Sequence, residues 1–490
     1  MIVLHHAATA DSLTLYWDKP LDAAADEVWR ILLGGEPVGQ TQRTHYTLEG
    51  LLPDTEYRVR VCRESESAAL TIRTARQRQA LDVRSFGARG DGIAMDTAAL
   101  QAAIDACGPE EEVWLPAGIY RSGALRLHSD MAMRLDPGAV LRGGDRPEDY
   151  EPRIPSRFEG VERECYSSLL NLGRLDHAAG PNCRNVLIYG GGTIESGGQK
   201  LAMAVIEQER ERLRSFLAEN AALVASCENE HTIPGRVRPR LINLSNCENV
   251  RITGLTLQNG ASWNLHMIYS RYILTDHCVI RSEGVWNGDG WDPDSSEDCT
   301  LFACRFFTGD DAVAIKSGKN PEGNAIARPT RGIRIFDCVS GFGHGIVIGS
   351  EMSGGVEDVQ IWDCDLGQAE QGIEVKATPK RGGFVRNFSV RDCRVARVLM
   401  HSVGYNDDGV PAPTQPVFED FRFERLHILG QKLDKEGVVS AVPAIELEGF
   451  SAEGHEIRNV SFDDCTLGKG NLGLRLQRCT GLSFRNLCCE

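Results

Sequence analysis

The sequence predicts an all-β protein, a right-handed parallel β-helix over residues 80–490 with a small β-sandwich over residues 1–76. Three observations lead there. A Val/Ile-x-Val/Ile-x-x-Cys pattern recurs at Tyr272–Cys278, Cys299–Cys304, Ile333–Cys338, Val359–Cys364, Phe388–Cys393 and Val460–Cys465. The chain carries 51 glycines and only 7% aromatic residues, which suits a turn-rich β protein. The first 76 residues lack the repeat but alternate as strands do.

In the N-terminal segment, Ser12 to Asp18 alternates apolar and polar residues, and Tyr46 to Val61 reads strand, turn, strand. Trp17 and the Leu-x-Pro-x-Thr-x-Tyr corner from Leu51 to Tyr57 resemble a fibronectin type III module. A polar connector, Thr74 to Ala80, marks the boundary. Beyond it the repeat cysteines lie 26 residues apart for Cys278 and Cys304, 26 for Cys338 and Cys364, and 29 for Cys364 and Cys393. An irregular period with strand-like alternation means coils that bury inward side chains on the next coil. The Leu-x-x-Leu-x-Leu frame of a leucine-rich repeat is absent. Right-handedness follows from the rule for parallel crossovers.

Two helices are expected. Thr97 to Cys107 has the pattern of a cap on the first coil. Lys200 to Ser226 places Leu201, Val205, Leu213, Leu217 and Ala221 on one stripe, to cover the flank of a cleft or a contact in a homo-oligomer.

Formal charge is −16, which argues against a nucleic-acid partner. No apolar run reaches the length of a membrane span, and no signal peptide is visible at the start. The sixteen cysteines show no paired CxxC metal spacing and sit at strand-like positions, as buried free thiols would. A reducing, cytoplasmic setting is the expectation.

The chemistry concentrates in Asn287-Gly-Asp289-Gly290-Trp291 and Gly309-Asp310-Asp311. Glycines 288, 290 and 309 let the backbone turn sharply and another chain approach. Adjacent residues on a strand point to opposite faces, so Asp310 and Asp311 converge only where the strand bends or ends. Crowded carboxylates cannot all ionise easily, so one should keep its proton to higher pH. A protonated carboxyl beside an ionised one is the equipment of glycoside hydrolysis. Flat ring faces at Trp263, His266 and Trp291 suit a sugar subsite, and a packing role suits either tryptophan at least as well.

Residues from about 80 to 400 resemble the polygalacturonase-like glycoside hydrolases of family 28, especially bacterial exo-acting members. The resemblance rests on Asp82 to Gly92, Thr97, Pro116 to Tyr120, Trp263 to His266, Asn287 to Asp289, Gly309 to Asp311, Gly343-His344-Gly345 and Ser350 to Gly355. It implies Asp310 as the general acid, Asp289 and Asp311 as the pair that deprotonates water, inversion of configuration, and His344 beside the acid. Asn287, Lys316 and Lys376 join the substrate-binding set. No cofactor and no metal are implied, and the partner is an oligosaccharide or glycoside.

Two departures stand out. The family's Asn-Thr-Asp reads Asn287-Gly-Asp289, which keeps the carboxylate. Its Arg-Ile-Lys reads Glu374-Val-Lys376, which reverses the charge offered to a uronate. Either Arg381 or another cation compensates, or the sugar is neutral and Glu374 binds its hydroxyls. The reading is an exo-acting hydrolase of pectin-derived oligosaccharides. A neutral-sugar exo-glycosidase, a calcium-dependent lyase and a non-catalytic binding β-helix are the alternatives. Closing one end of the groove is expected of the 200–226 helix or of loops from the N-terminal module.

Overall fold

A computed structural model describes residues 2–64, 66–434 and 436–490. The chain divides into two compact units, one formed by residues up to Leu81 with Cys107–Glu112, the other by Asp82–Ala106 and Val113–Glu490.

The first unit is a β-sandwich of two antiparallel sheets. One pairs Leu4–Ala8, Ser12–Trp17 and His45–Glu49; the other pairs Trp29–Leu33, Glu36–Thr41, Glu56–Arg63 and Glu66–Arg73. Alternation sends Leu13, Leu15 and Trp17 inward to meet Trp29, Ile31, Val59, Val61 and Ile72, all buried. The rings of Trp17 and Trp29 meet edge to face at 5.4 Å. At the corner the Leu52 amide donates to the Tyr57 hydroxyl at 2.9 Å.

The second unit is a right-handed parallel β-helix whose coils each contribute one strand to three parallel sheets. The sheet that matters for function has eleven strands, from Leu125–Leu127 to Leu474–Gln477. Six of them frame the site: β1 (Leu265–Ile268), β2 (Trp291–Asp294), β3 (Val313–Ile315), β4 (Gly345–Ile348), β5 (Gly372–Ala377) and β6 (Arg397–Ser402). Their register stacks Leu265, Trp291, Val313, Ile346, Ile373 and Val398 in one inward column. Each of these side chains is at most 2% exposed. One face of every coil is thus committed to the core, and the alternate residues face out.

The repeat cysteines are inward-facing, and all sixteen thiols are free. Residues just before them, His277, Ala303, Asp337, Asp363, Asp392 and Asp464, all have φ between 49° and 54°. Short polar side chains tolerate that left-handed turn, which explains why aspartate so often precedes the cysteine. Phe302, Phe336 and Trp362 stack in the same column at 4.9 and 4.5 Å.

The cap helix spans Thr97–Ala106 with Leu100, Ala103 and Ile104 buried. The second helix is shorter than expected. It runs Gly198–Arg212, burying Leu201, Ala202, Val205 and Ile206, and then breaks into Arg214–Glu219 and Ala221–Ala225, neither of which buries a residue. Leu213, Leu217 and Ala221 therefore do not extend the buried stripe.

Along each coil the chain enters the site sheet from one rim and leaves by the other. Asp289, Asp310, Asp311 and His344 sit in entry loops just before β2, β3 and β4. Residues 316–329 and 403–416 are exit loops after β3 and β6.

Candidate active site

The glycines of the aspartate motifs are required by close packing. A Cβ on Gly309 would lie 2.2 Å from the Val285 carbonyl, and one on Gly290 would lie 2.4 Å from that of Ala312. The entry loops can therefore nest, which brings successive carboxylates together.

Asp310 and Asp311 converge on His344. Nδ1 of His344 lies 3.1 Å from Asp310 Oδ1 and 2.9 Å from Asp311 Oδ1. Asn287, held at φ 50°, donates Nδ2 to Asp310 Oδ2 at 3.2 Å. Asp289 Oδ2 accepts from Lys316 Nζ at 3.2 Å. Lys376 Nζ stands 3.6 Å from Asp311 Oδ1. The sequence-predicted carboxylates, His344, Asn287, Lys316 and Lys376 thus form one connected cluster on the outer face of the site sheet.

Burial separates the carboxyls. The Asp310 side chain is 21% exposed and that of Asp289 is 4%. Burial pushes the Asp289 carboxyl up to about 8, with the nearby Asp310 and Asp311 adding to the rise and Lys316 opposing it. Asp289 is the member that keeps its proton to higher pH. His344 runs the other way. Burial disfavours its charge, but Asp310, Asp311 and Glu370 together raise it well above the ordinary imidazole range.

Several neighbours were invisible in the sequence. Glu370 Oε2 meets His344 Nε2 at 3.2 Å, and Lys432 Nζ meets Glu370 Oε1 at 2.7 Å. Arg238, fully buried, donates to Asn287 Oδ1 at 2.6 Å and lies over the Trp286 ring. Burial lowers Arg238 to about 10. Asp292 is fully buried, and among the described residues neither of its oxygens has a hydrogen-bond partner. Burial and the nearby Asp289 raise its carboxyl well above the carboxylate range. His401 Nε2 meets Glu374 Oε1 at 2.7 Å. Only the outward parity of β5 hints at this last contact, since Lys376 and His401 share a register position.

Glu374 is therefore not a loose negative charge. Burial would raise its carboxyl, but Lys376 at 3.5 Å and His401 hold it down to about 2. Arg381 does not stand in for the missing arginine. It is 0% exposed and donates to Ser350 O at 2.8 Å and Asn320 Oδ1 at 2.7 Å.

Of the three ring residues, the two tryptophans take the packing role, and His266 departs from the subsite reading. Trp291 is fully buried in the coil interior and donates Nε1 to Thr275 Oγ1 at 3.1 Å, so it offers no face to a sugar. His266 is also fully buried, bound through Nε2 to Asp294 and lowered by burial to about 4. Trp263 is 3% exposed, with Phe158 stacked on it at 4.7 Å and Lys316 Nζ at 4.7 Å from its ring. Its ring packs against the Lys316 ammonium. Lys316 in turn is engaged by Asp289 and by Glu351 at 3.8 Å.

One flank of the groove is walled. The hairpin Ile154–Phe158 and Val161–Cys165, in an early entry loop, lies against the sheet through Phe158 and through Arg157, whose Nη1 meets Asp294 Oδ1 at 2.7 Å with neither side chain exposed. Arg236 binds Glu159 of the hairpin and, by two hydrogen bonds, Asp408. Lys319 also binds Asp408. Glu159 and Arg236 come from the entry rim, Lys319 and Asp408 from the exit rim, so this network crosses the face of the sheet. The wall comes from the hairpin and the 403–416 loop. The Gly198–Arg212 helix contributes no residue to that ionic network.

The reactive atoms of Asp310, Asp311 and His344 lie within 4.8 Å of one another. With His344 donating to carboxylates from both nitrogens, the same atoms are arranged for proton transfer.

Comparison with known proteins agrees with this geometry. Residues 171–403 match the model for glycosyl hydrolases family 28, and residues 80–133 match a rhamnogalacturonase A/epimerase, pectate lyase-like model. An exo-poly-alpha-D-galacturonosidase of Dickeya chrysanthemi is 25% identical, over 90% of this chain and 82% of that protein. A probable polygalacturonase of Vitis vinifera is 32% identical, over 62% of this chain and 58% of its own length. The family 28 exopolygalacturonase of Yersinia enterocolitica superposes with a TM-score of 0.82 at 23% identity, covering 100% of this chain and 98% of the other. The exopolygalacturonase of Thermotoga maritima gives 0.70 at 24% identity, covering 85% and 93%. Those two structures share the fold. By the match over residues 171–403 the chain carries a glycosyl hydrolases family 28 domain, and it is a glycoside hydrolase.

Proposed function

We propose that the protein is an exo-acting, inverting hydrolase that releases terminal galacturonate from pectin-derived oligosaccharides. The observation that carries this is the convergence of Asp289, Asp310 and Asp311 on one walled groove with His344 between two of them. The relatives that act from chain ends, in Dickeya, Yersinia and Thermotoga, point the same way.

In this reading Asp310, the most exposed of the three, protonates the glycosidic oxygen. Asp311, paired with His344 and Lys376, takes the proton of the attacking water. Asp289, protonated in the neutral range, orients that water by hydrogen bonding, a narrower task than shared base. Lys316 and Lys376 set the field around the carboxylates, and Asn287 steers Asp310. The wall of Glu159, Arg236, Lys319 and Asp408 stops a polymer from passing through, which supports attack at an end. A progress curve on oligogalacturonides with a tagged reducing end tests it: untagged saturated product should appear from the first minutes while the tagged chain shortens stepwise.

A second reading concerns the sugar. Glu374 engages Lys376, and Arg381 is turned to Ser350 and Asn320, so neither cation is free for a uronate, which supports a neutral terminal sugar. Screening neutral-tipped pectic side chains against galacturonate oligomers separates the two. We also read the N-terminal sandwich as a fibronectin type III-like module, supported by the Leu52 to Tyr57 corner, and the protein as cytoplasmic, supported by its sixteen free thiols.

A further inference from the structure

His344 carries a carboxylate on each side of its ring. Nδ1 faces Asp310 and Asp311, and Nε2 faces Glu370. A neutral imidazole has one N–H and one lone pair. Either tautomer would therefore set a lone pair against a carboxylate oxygen about 3 Å away, at Asp311 or at Glu370. Only the imidazolium donates in both directions.

Glu370 is placed by its surroundings rather than by chance. Its loop is pinned to the histidine's own backbone, with Glu370 N donating to Gly343 O at 2.7 Å and Gly372 N to His344 O at 3.0 Å. Its other oxygen is bound by Lys432, on the hairpin that pairs Gln431–Leu433 with Val439–Ala441. Gln431 Nε2 donates to Gly367 O in the same loop at 3.2 Å. The charged groups around the histidine are then Asp310 and Asp311 from the loop before β3, Glu370 before β5, Lys376 and Glu374 on β5, and Lys432 from the hairpin.

We propose that Glu370 is a positioning residue for the hydrolysis: it fixes His344 as a doubly protonated ring whose Nδ1–H serves Asp310 and Asp311, and so sets the upper pH limit of turnover. The proposal rests on the hydrolase reading and deepens it. After one turnover the glycosidic oxygen holds the proton of Asp310, and Asp311 holds the proton taken from water. Nδ1 lies within hydrogen-bond reach of both carboxyls. It gives its proton to Asp310 and receives the one on Asp311, so the pair is reset without exchange with bulk water. The Nε2 proton stays on Glu370's side throughout. Removing the Glu370 charge makes the neutral ring acceptable, and the cluster loses its proton at lower pH.

The test uses the full chain as wild type, Glu370→Gln and Glu370→Asp. Two readouts are taken across pH: kcat/KM on a tagged galacturonate oligomer, and the ¹⁵N shifts of the His344 ring. Glu370→Gln should move the basic limb of the profile to lower pH by a unit or more, and the His344 titration should move with it. Glu370→Asp, which keeps the charge on a shorter stem, should recover at least half of that shift. A rate lowered by the same factor at every pH, with the limb and the ring titration in place, overturns the proposal. The ring titration does not depend on turnover, so a shift seen without any hydrolysis would overturn the functional reading and leave the electrostatic role of Glu370 standing.

Discussion

Arg236 and Asp408, 172 residues apart, are joined by two hydrogen bonds of 2.9 Å that span the groove from its entry rim to its exit rim. Glu159 and Lys319 complete the tie. Because the partners come from loops on opposite sides of one sheet, the contact shapes access more than the core. Asp408→Ala should therefore loosen the wall and let longer chains enter. The ratio of viscosity loss to new reducing ends on polygalacturonan should rise several-fold over wild type. A ratio unchanged by the substitution would mean that the wall does not govern end selectivity.

Asp310→Asn keeps the shape of the side chain and removes the proton that the leaving group needs. Turnover should fall by roughly 10²–10⁴ or more while circular dichroism and melting stay close to wild type. Substantial residual activity on a natural glycoside would move the acid role elsewhere, with the buried Asp289 the next candidate.

The charge at position 374 was readable in the sequence, but its neutralisation was not. Lys376 and His401 enclose Glu374, so an arginine there would meet two basic groups, and Glu374→Gln is the cleaner probe. Glu374 occupies the Lys376 ammonium, so removing its charge frees that lysine for the carboxylate of a uronate. Glu374→Gln should accordingly lower KM for galacturonate oligomers about tenfold or more and leave neutral-tipped glycosides nearly unchanged. Equal effects on both would show that position 374 does not read the sugar's charge.

What the sequence showed and what it hid have physical reasons. The coil repeat was legible because each inward column needs apolar residues at fixed parity and each turn needs a residue tolerant of positive φ, as at Asp337 or Asp363. The aspartates and His344 were legible because their glycine neighbours are forced by backbone contacts. Glu370, Lys432, Arg238 and His401 were not, because each reaches the site from another coil or an inserted hairpin, and pairwise contacts across coils leave no local pattern. Trp291 and His266 are buried for different reasons. Trp291 belongs to the inward column, whereas His266 is on the outer face but covered by Trp263 and by Asp294 tied to the inserted hairpin, which leaves no mark in the local pattern.

Arg157 and Asp294 form an ion pair with no exposed atoms, and His266 shares the aspartate. Losing one partner of a buried pair leaves an uncompensated charge. Arg157→Ala should destabilise the protein by about 3–5 kcal/mol and free the 154–165 hairpin, read as a lower melting temperature and faster proteolysis within that hairpin. Wild-type melting would remove the hairpin's proposed anchor.

Asp289 makes a pH-dependent prediction whose sign follows from its burial. Its carboxyl titrates near 8 when folded against 3.8 ordinarily. The stability it contributes is complete below the lower value and is lost as pH rises toward the upper one. Asn at this position is neutral in both states. Chemical denaturation should therefore show Asp289→Asn gaining on wild type between about pH 4 and 8, then holding level. A constant difference across that range would contradict the assignment.

The central claim is an inverting hydrolase that works from a chain end, and one time course tests it most directly. Galacturonate oligomers tagged at the reducing end are incubated with the enzyme, with products read by mass spectrometry and the new anomeric centre by proton NMR. The account predicts a saturated short product from the untagged end, tagged chains that shorten stepwise, and an initial anomer opposite to the linkage cleaved. Mid-length fragments from the outset, unsaturated ultraviolet-absorbing products, or retention of the anomeric configuration would contradict it.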